Sequence, residues 1–380
     1  MGLLEIAALS IVFLRVLGVI AVILVIIFVH EMGHYLVARL CGIRATVFSL
    51  GFGPEILGFF DKKGTRWRLS LIPLGGYVKF VGDDDAMSVP SGELNQTPLA
   101  GAFFAASAWR RAATVFAGPF FNGLFTVVIL AFFLFFYQQA VVEPIVGGVQ
   151  ANMPAAQAGL QKGDRILTID GQKIESFDDL MGIVSLHGDD TLQFTIERAG
   201  QVFERAITPA RILRSDGFGH TVRMGAIGVY TPLDPNNTER IDPKYVKKIS
   251  YSFIGAIGES LKQSQFIVTQ TIRVLGRLVV GREDRCQLSG PTKTASIAWQ
   301  VSELGFLSLL RLAAVLSIGI GLINLIPIPP LDGGHFLIYI LEGMLGRPLP
   351  NILQQVVFKV GMVLILVFMV FAVSNDFFPC

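Results

Sequence analysis

Four runs of apolar residues, roughly Ile6 to Val29, Ala112 to Tyr137, Leu304 to Ile326 and Val356 to Val373, constrain this chain more than any other feature. Each is long enough to cross the hydrocarbon core of a bilayer, which takes about 20 residues. In hydrocarbon a segment must satisfy its own backbone hydrogen bonds, so such runs fold as helices. Composition agrees: 52% of residues are hydrophobic and only 16% are charged, against about 25% in ordinary globular chains. Lys and Arg number 31 and Asp and Glu 29, a net charge of +2 that argues against a nucleic-acid partner. The first run lacks a basic start, and no small-residue cleavage site separates it from the residues after Val29. It is therefore expected to remain as a span and not to be removed as a signal peptide.

That first run ends in "VIIFVHEMGHYLVARL", Val25 to Leu40, which sets His30, Glu31 and His34 where polar groups are costly. Residues four apart share a helix face with Cβ atoms about 5 to 6 Å apart, so both imidazoles can reach one ion. H-E-x-x-H supplies two zinc ligands and a general base. Zinc can lower the pKa of bound water to about 7, making hydroxide available at neutral pH. The bland alternative is that these side chains only hydrogen-bond within a helix bundle. A charged side chain in a span costs about 2.5 to 3.5 kcal/mol on insertion scales, which argues against idle placement.

A catalytic zinc normally has three protein ligands and an open position. Cys41, Cys286 and Cys380 are too scattered for a disulfide framework or a CxxC site, so the third ligand is a His or a carboxylate. "GLINLIPIPPLDGGHF", Gly321 to Phe336, offers one. Pro327, Pro329 and Pro330 remove backbone donors and forbid a regular helix. Unwound backbone at membrane depth is tolerated only where protein buries it or it lines a wet cavity. Asp332 sits in that break, and His335 is the rival ligand. Asn122, inside the second span, reads equally as an inter-helix hydrogen bond or as a group near the site.

Arg39, Arg44, Lys62, Lys63, Arg66, Arg68, Lys79, Arg110 and Arg111 lie between the first two spans, which orients that loop to the cytoplasm. Alternation then sets residues 138 to 300 on the opposite side. The predicted fold is a polytopic α-helical membrane protein of about four transmembrane helices, with a membrane-associated β-rich segment and one extracytoplasmic domain. Residues 1–40 form the first helix with its motif. Residues 41–110 are the cytoplasmic-side β-rich segment, with a hairpin turn at "DKKG" and a polar loop from Asp83 to Thr97. The second helix covers 111–137, and a soluble module 142–212. Residues 213–300 are a linker with amphipathic helices. The third helix and the broken segment occupy 301–335, the fourth helix 355–375.

The module resembles a PDZ domain: its "AGL-x-x-GD-x-I-x-x-I-D-G" run, from Ala158 to Gly171, is a specific signature. Such domains take an extended peptide or protein tail as an added strand. HExxH closing a first span, this module after the second, and N-x-x-P-x-P-x-L-D-G-G after the third together resemble the site-2 protease family. The similarity is greatest to its bacterial branch, intramembrane zinc metalloproteases that cleave anti-sigma factors, and "LSGPTKTA" (Leu288 to Ala295) also resembles that branch. The resemblance implies His30, His34 and Asp332 as zinc ligands, Glu31 as the base and Asn324 as a substrate contact. It also implies a reentrant sheet around Gly51 to Lys79 that holds substrate as a strand. By the same resemblance the setting is the bacterial inner membrane, with the active site toward the cytoplasm. Substrates would be single-pass membrane proteins already trimmed by another protease, and leftover signal peptides. Several relatives carry two PDZ domains where this chain has room for one. The rival readings are a non-enzymatic PDZ scaffold with a structural metal and a metal transporter; an intact Glu31 argues against the first, and a single ion site against the second.

Overall fold

The computed structural model describes residues 3–82, 100–215, 221–235, 237–280 and 290–377. The polar loop expected from Asp83 to Thr97, Cys286, Cys380 and the first two residues of the LSGP run lie outside these. The chain divides into two compact units, one of Met1–Leu130, Ser260–Thr269 and Ser289–Asp376, the other of Ala131–Glu259, Gln270–Leu288 and Phe377–Cys380.

Helix α1 (Leu3–Leu40) leads into two long strands, β1 (Ala45–Phe60) and β2 (Arg66–Phe80). The turn between them is held by Asp61, whose Oδ1 accepts from Lys63 N and Thr65 N, both at 2.8 Å. Each strand bends and contributes twice to one sheet. Phe48 pairs with Val78 on one side and with Trp67 on the other, and Trp67 pairs in turn with Phe59. The bend in β1 falls at Gly51 and Gly53, whose φ values of +87° and +86° suit glycine. Phe48 is buried, stacks on Trp67 with centroids 4.3 Å apart, and meets Tyr35 of α1 edge-on. Ile56, Leu57, Phe59, Phe60 and Leu71 are exposed, an apolar surface suited to contact with lipid.

Helix α2 (Ala108–Phe136) comes next. It can lie close against α1 because Gly33 has no side chain: a methyl there would overlap the Ala117 carbonyl. Small residues permit such close helix approach where the surrounding lipid gives no hydrophobic drive.

In the second unit come β3 (Gln139–Val142), β4 (Gly148–Val149), α3 (Pro154–Gln157), β5 (Arg165–Ile169), β6 (Gln172–Lys173), α4 (Phe177–Leu186), β7 (Leu192–Arg198) and β8 (Gln201–Ile207). Strands β6, β5, β7 and β8 form a four-stranded sheet in that order. Ser176 caps α4 reciprocally: its Oγ accepts from Asp179 N at 3.0 Å, and Asp179 Oδ2 accepts from Ser176 N at 2.9 Å. Ile166, Leu180, Phe194, Ile196 and Ile207 form the core, which also takes in Ile227.

The module thus extends past the boundary expected at residue 212. Beyond it come β9 (Ala210–Ser215), β10 (Thr221–Ala226), β11 (Val229–Tyr230), β12 (Leu233–Asp234), β13 (Asn237–Ile241) and β14 (Val246–Ile249). β11 pairs with β4 and β14 with β3, so a stretch read as linker completes two sheets of the unit's first part. These strands are too short to show a period until their distant partners are known. Helix α5 (Phe253–Val279) is a single amphipathic helix.

The first unit is completed by α6 (Pro291–Glu303), α7 (Phe306–Asn324), α8 (Asp332–Leu345) and α9 (Asn351–Phe377). Val22 and Ile26 of α1 pack with Leu309 and Ala313 of α7. Residues 325–331 interrupt the helices at the three prolines, and Asp332 opens α8. Arg111 Nη2 reaches Glu342 Oε2 at 3.0 Å, a partly buried ion pair between α2 and α8. Among the described residues, four helical segments are long and apolar enough to cross a membrane: Phe13–Leu40, Ala108–Phe136, Phe306–Asn324 and Asn351–Ser374.

Candidate metal centre

On α1, His30 and His34 stand one turn apart with their Nε2 atoms 3.2 Å from each other. Asp332 meets them from the first turn of α8. Its Oδ2 lies 3.0 Å from His30 Nε2 and 3.4 Å from His34 Nε2. The compact turn before Asp332 depends on the two glycines after it, since a methyl on Gly333 would overlap the Leu325 carbonyl and one on Gly334 would overlap Pro329 N.

Helix α2 supplies the wall behind the imidazoles. Thr114, Gly118 and Asn122 recur every four residues and so form one stripe. The Thr114 carbonyl lies 2.9 Å from His34 Nδ1. A methyl on Gly118 would overlap His34 Nε2 and come within 2.9 Å of His30 Cε1, so only glycine leaves the rings their space. Asn122, wholly buried, places its Nδ2 3.2 Å from His30 Nδ1. Sequence reasoning singled out Asn122 but missed Thr114 and Gly118. The four-residue spacing of Thr, Gly and Asn along the second span was the available signal.

This arrangement fits a zinc ion. The edge of a tetrahedron around zinc, with bonds of about 2.0 to 2.1 Å, is about 3.3 to 3.4 Å. The three distances between the candidate ligand atoms are 3.0, 3.2 and 3.4 Å. His34 Nδ1–H donates to Thr114 O, so neutral His34 turns a lone pair on Nε2 toward the carboxylate. Asp332 Oδ2 is buried and, among the described residues, has no hydrogen-bond partner. Acceptors facing one another in a buried space call for a cation.

Glu31 is buried beside His30 on α1. The sheet comes close here, because a methyl on Gly76 of β2 would lie 3.0 Å from Glu31 Cγ. Asn324 is the last residue of α7. His335, the rival ligand, is outside the cluster of His30, His34 and Asp332 among the described residues; its ring centroid lies 6.3 Å from those of both Tyr339 and Phe358.

Known proteins are similar to this chain over nearly its whole length. A model of peptidase family M50 matches residues 18–368. A Bartonella henselae protein named "Putative zinc metalloprotease" is 56% identical over 93% of this chain and 99% of its own length. One of the same description from Brucella suis is 45% identical over 94% of each chain. The metalloprotease MmpA of Caulobacter vibrioides is 34% identical over 93% of this chain and 92% of its own. Among solved structures, the PDZ domain of an SdrC-like protein from Listeria monocytogenes matches 24% of this chain and 86% of its own, at 23% identity and a TM-score of 0.18.

Proposed function

Since the chain belongs to peptidase family M50, we propose that it hydrolyses peptide bonds within the transmembrane segments of other membrane proteins, using Glu31 as base beside a zinc held by His30, His34 and Asp332. It is a zinc metalloprotease and a multi-pass membrane protein, which removes the scaffold and transporter readings. The observation that carries the residue assignment is the convergence of three ligand atoms, each within 3.4 Å of the other two, from α1 and α8.

Zinc, when bound, supplies a Lewis acid that lowers the pKa of water and polarises the scissile carbonyl. A Glu31 carboxylate oxygen accepts a proton from the attacking water and delivers it to the leaving amine nitrogen. Thr114 O holds the His34 ring edge, and the tight turn at Gly333 and Gly334 holds Asp332.

Depth along α1 supports cleavage within the membrane. Arg15 pairs with Glu303 at 2.7 Å and lies over Trp299, a polar cluster suited to one interface, and Arg39 ends the helix. At 1.5 Å per residue His30 lies about 22 Å from the level of Arg15 and about 14 Å from that of Arg39. A hydrocarbon core of about 30 Å fits between those arginines. The basic residues between α1 and α2 favour the cytoplasm for the Arg39 end, hence an active site on that side of the inner membrane.

A transmembrane helix resists hydrolysis because its carbonyls are bonded within the segment. Addition of the unwound substrate to the β1–β2 sheet would offer replacement bonds. Gly76 brings that sheet against Glu31, and Asn324 is assigned a contact to the bound strand. The substrates are single-pass regulators of the anti-sigma type, already trimmed outside by another protease, and remnant signal peptides. The module after α2 is assigned as an extracytoplasmic PDZ domain that receives a peptide or protein tail.

The test is cleavage of a single-pass reporter by the purified enzyme in liposomes. Wild type is expected to cut within the reporter's span and to stop on zinc chelation. Glu31→Gln is expected to retain zinc and lose turnover by orders of magnitude, whereas Asp332→Ala loses both. Near-normal turnover of Glu31→Gln would end the assignment of the base, and cuts confined to the reporter's soluble parts would end the intramembrane reading.

A further inference from the structure

Zinc ligation asks something of His30 that α1 cannot provide. Its Nε2 faces His34 Nε2 at 3.2 Å and Asp332 Oδ2 at 3.0 Å, so Nε2 is the atom offered to the ion and must carry a lone pair. A neutral imidazole then holds its proton on Nδ1, which needs an acceptor. Ligating histidines generally donate this second N–H to a carboxylate, a carbonyl or water, which fixes tautomer and ring orientation. His34 has the Thr114 carbonyl for this purpose. The group facing His30 Nδ1 is the side-chain amide of Asn122, whose Nδ2 stands at 3.2 Å.

The amide's two ends are nearly the same size, and its orientation is set by the hydrogen bonds around it. With NH2 toward His30, an N–H would donate to Nδ1, force the proton onto Nε2 and aim it at the ion. Asn122 Oδ1 would meanwhile stay buried without a partner among the described residues. Half a turn of the amide removes the conflict at His30, since Nδ1–H then donates to Oδ1 and Nε2 is free. The Asn122 backbone is firmly anchored, because its carbonyl accepts from Thr126 Oγ1 at 3.0 Å and from Ser317 Oγ of α7 at 3.3 Å. Gly321 of α7 admits the side chain, since a methyl there would lie 3.1 Å from Asn122 Cβ.

We propose that Asn122 is a positioning residue, its side-chain oxygen accepting from His30 Nδ1–H and so presenting Nε2 to the zinc. The proposal rests on the assignment of His30 as a ligand. The test is zinc affinity of the full chain in detergent, measured by competition with a chromophoric chelator on folded protein checked by circular dichroism. Asn122→Leu keeps the size but removes the acceptor, and is expected to weaken binding about 10- to 100-fold. Asn122→Asp keeps an acceptor, and is expected to stay within about threefold of wild type. A 15N spectrum of histidine-labelled, zinc-loaded protein is expected to show His30 protonated at Nδ1. Wild-type affinity in Asn122→Leu, equal loss in the Leu and Asp variants, or a proton on Nε2 would each overturn the proposal. His30→Ala separates the two levels: if it keeps full zinc, the ligand assignment itself fails. If it loses zinc while Asn122→Leu does not, only the role of Asn122 fails.

Discussion

His34 Nδ1 lies 2.9 Å from the carbonyl oxygen of Thr114, so the backbone of α2 fixes which edge of a ring on α1 carries the proton. The contact exists only because α2 passes very close to the histidines. The residue that permits this is Gly118, one turn along from Thr114.

Gly118→Ala is accordingly expected to lower zinc content and activity together, because the added methyl overlaps His34 Nε2 and crowds His30. Gly123→Ala, on the same helix with nothing within 4 Å of its new methyl, is the control and is expected to keep both. Zinc per protein by mass spectrometry of purified variants measures the difference. Equal zinc in the two variants would show that the rings have room to move.

The partly buried pair of Arg111 and Glu342 should behave non-additively. Glu342 Oε1 also accepts from Leu349 N at 3.0 Å and Gln354 Nε2 at 3.2 Å, and Arg111 lies over the Tyr339 ring at 4.6 Å. Removing one member strands the other charge, which typically costs about 3 to 5 kcal/mol. Glu342→Met and Arg111→Met are each expected to lower the thermal midpoint in detergent, and the double variant to lose less than their sum. Strict additivity would mean that the two charges do not support one another.

Acid should loosen the sheet through Asp61. Burial alone would raise its pKa, but hydrogen bonds from Thr65 N, Trp67 Nε1, Tyr35 Oη and Lys63 N prevail and hold it at about 2. The folded pKa is thus below the ordinary value of 3.8. The stabilisation is complete above 3.8 and is lost as pH falls from there through about 2. Fluorescence of Trp67, with Trp109 and Trp299 replaced by Phe, is expected to change over that window in otherwise wild-type protein. With Asp61→Asn the change should be absent. An identical acid transition in both would assign the loosening to other groups.

Orientation can be read from thiols. Cys41 lies just past the end of α1 and is partly exposed, and the proposed topology sets it on the cytoplasmic side. With Cys286 and Cys380 replaced by Ser, an impermeant maleimide added outside is expected to spare Cys41 until the membrane is opened. Gln201→Cys, at the exposed start of β8 in the module, is expected to react at once. The reverse pattern would invert the proposed topology.

Much of this protein is a matter of local sequence. Apolar runs of spanning length make helices because hydrocarbon leaves the backbone no other partner. The spacing of His30 and His34 sets both rings on one face by the pitch of the helix alone, and three prolines dictate a break before Asp332. Tertiary structure decided what depends on distant approach. The Asp332 carboxylate, and not the His335 ring, lies beside the imidazoles because the turn at Gly333 and Gly334 aims it there. Thr114, Gly118 and Asn122 became a wall only when α2 packed against α1. Ile227 joined a core built from residues far earlier in the chain when β11 paired with β4. A helix carries its period in its own residues. A hydrogen bond to the far edge of a histidine ring, or the partner of a two-residue strand, is supplied by chain dozens to hundreds of residues away and leaves no local pattern to read.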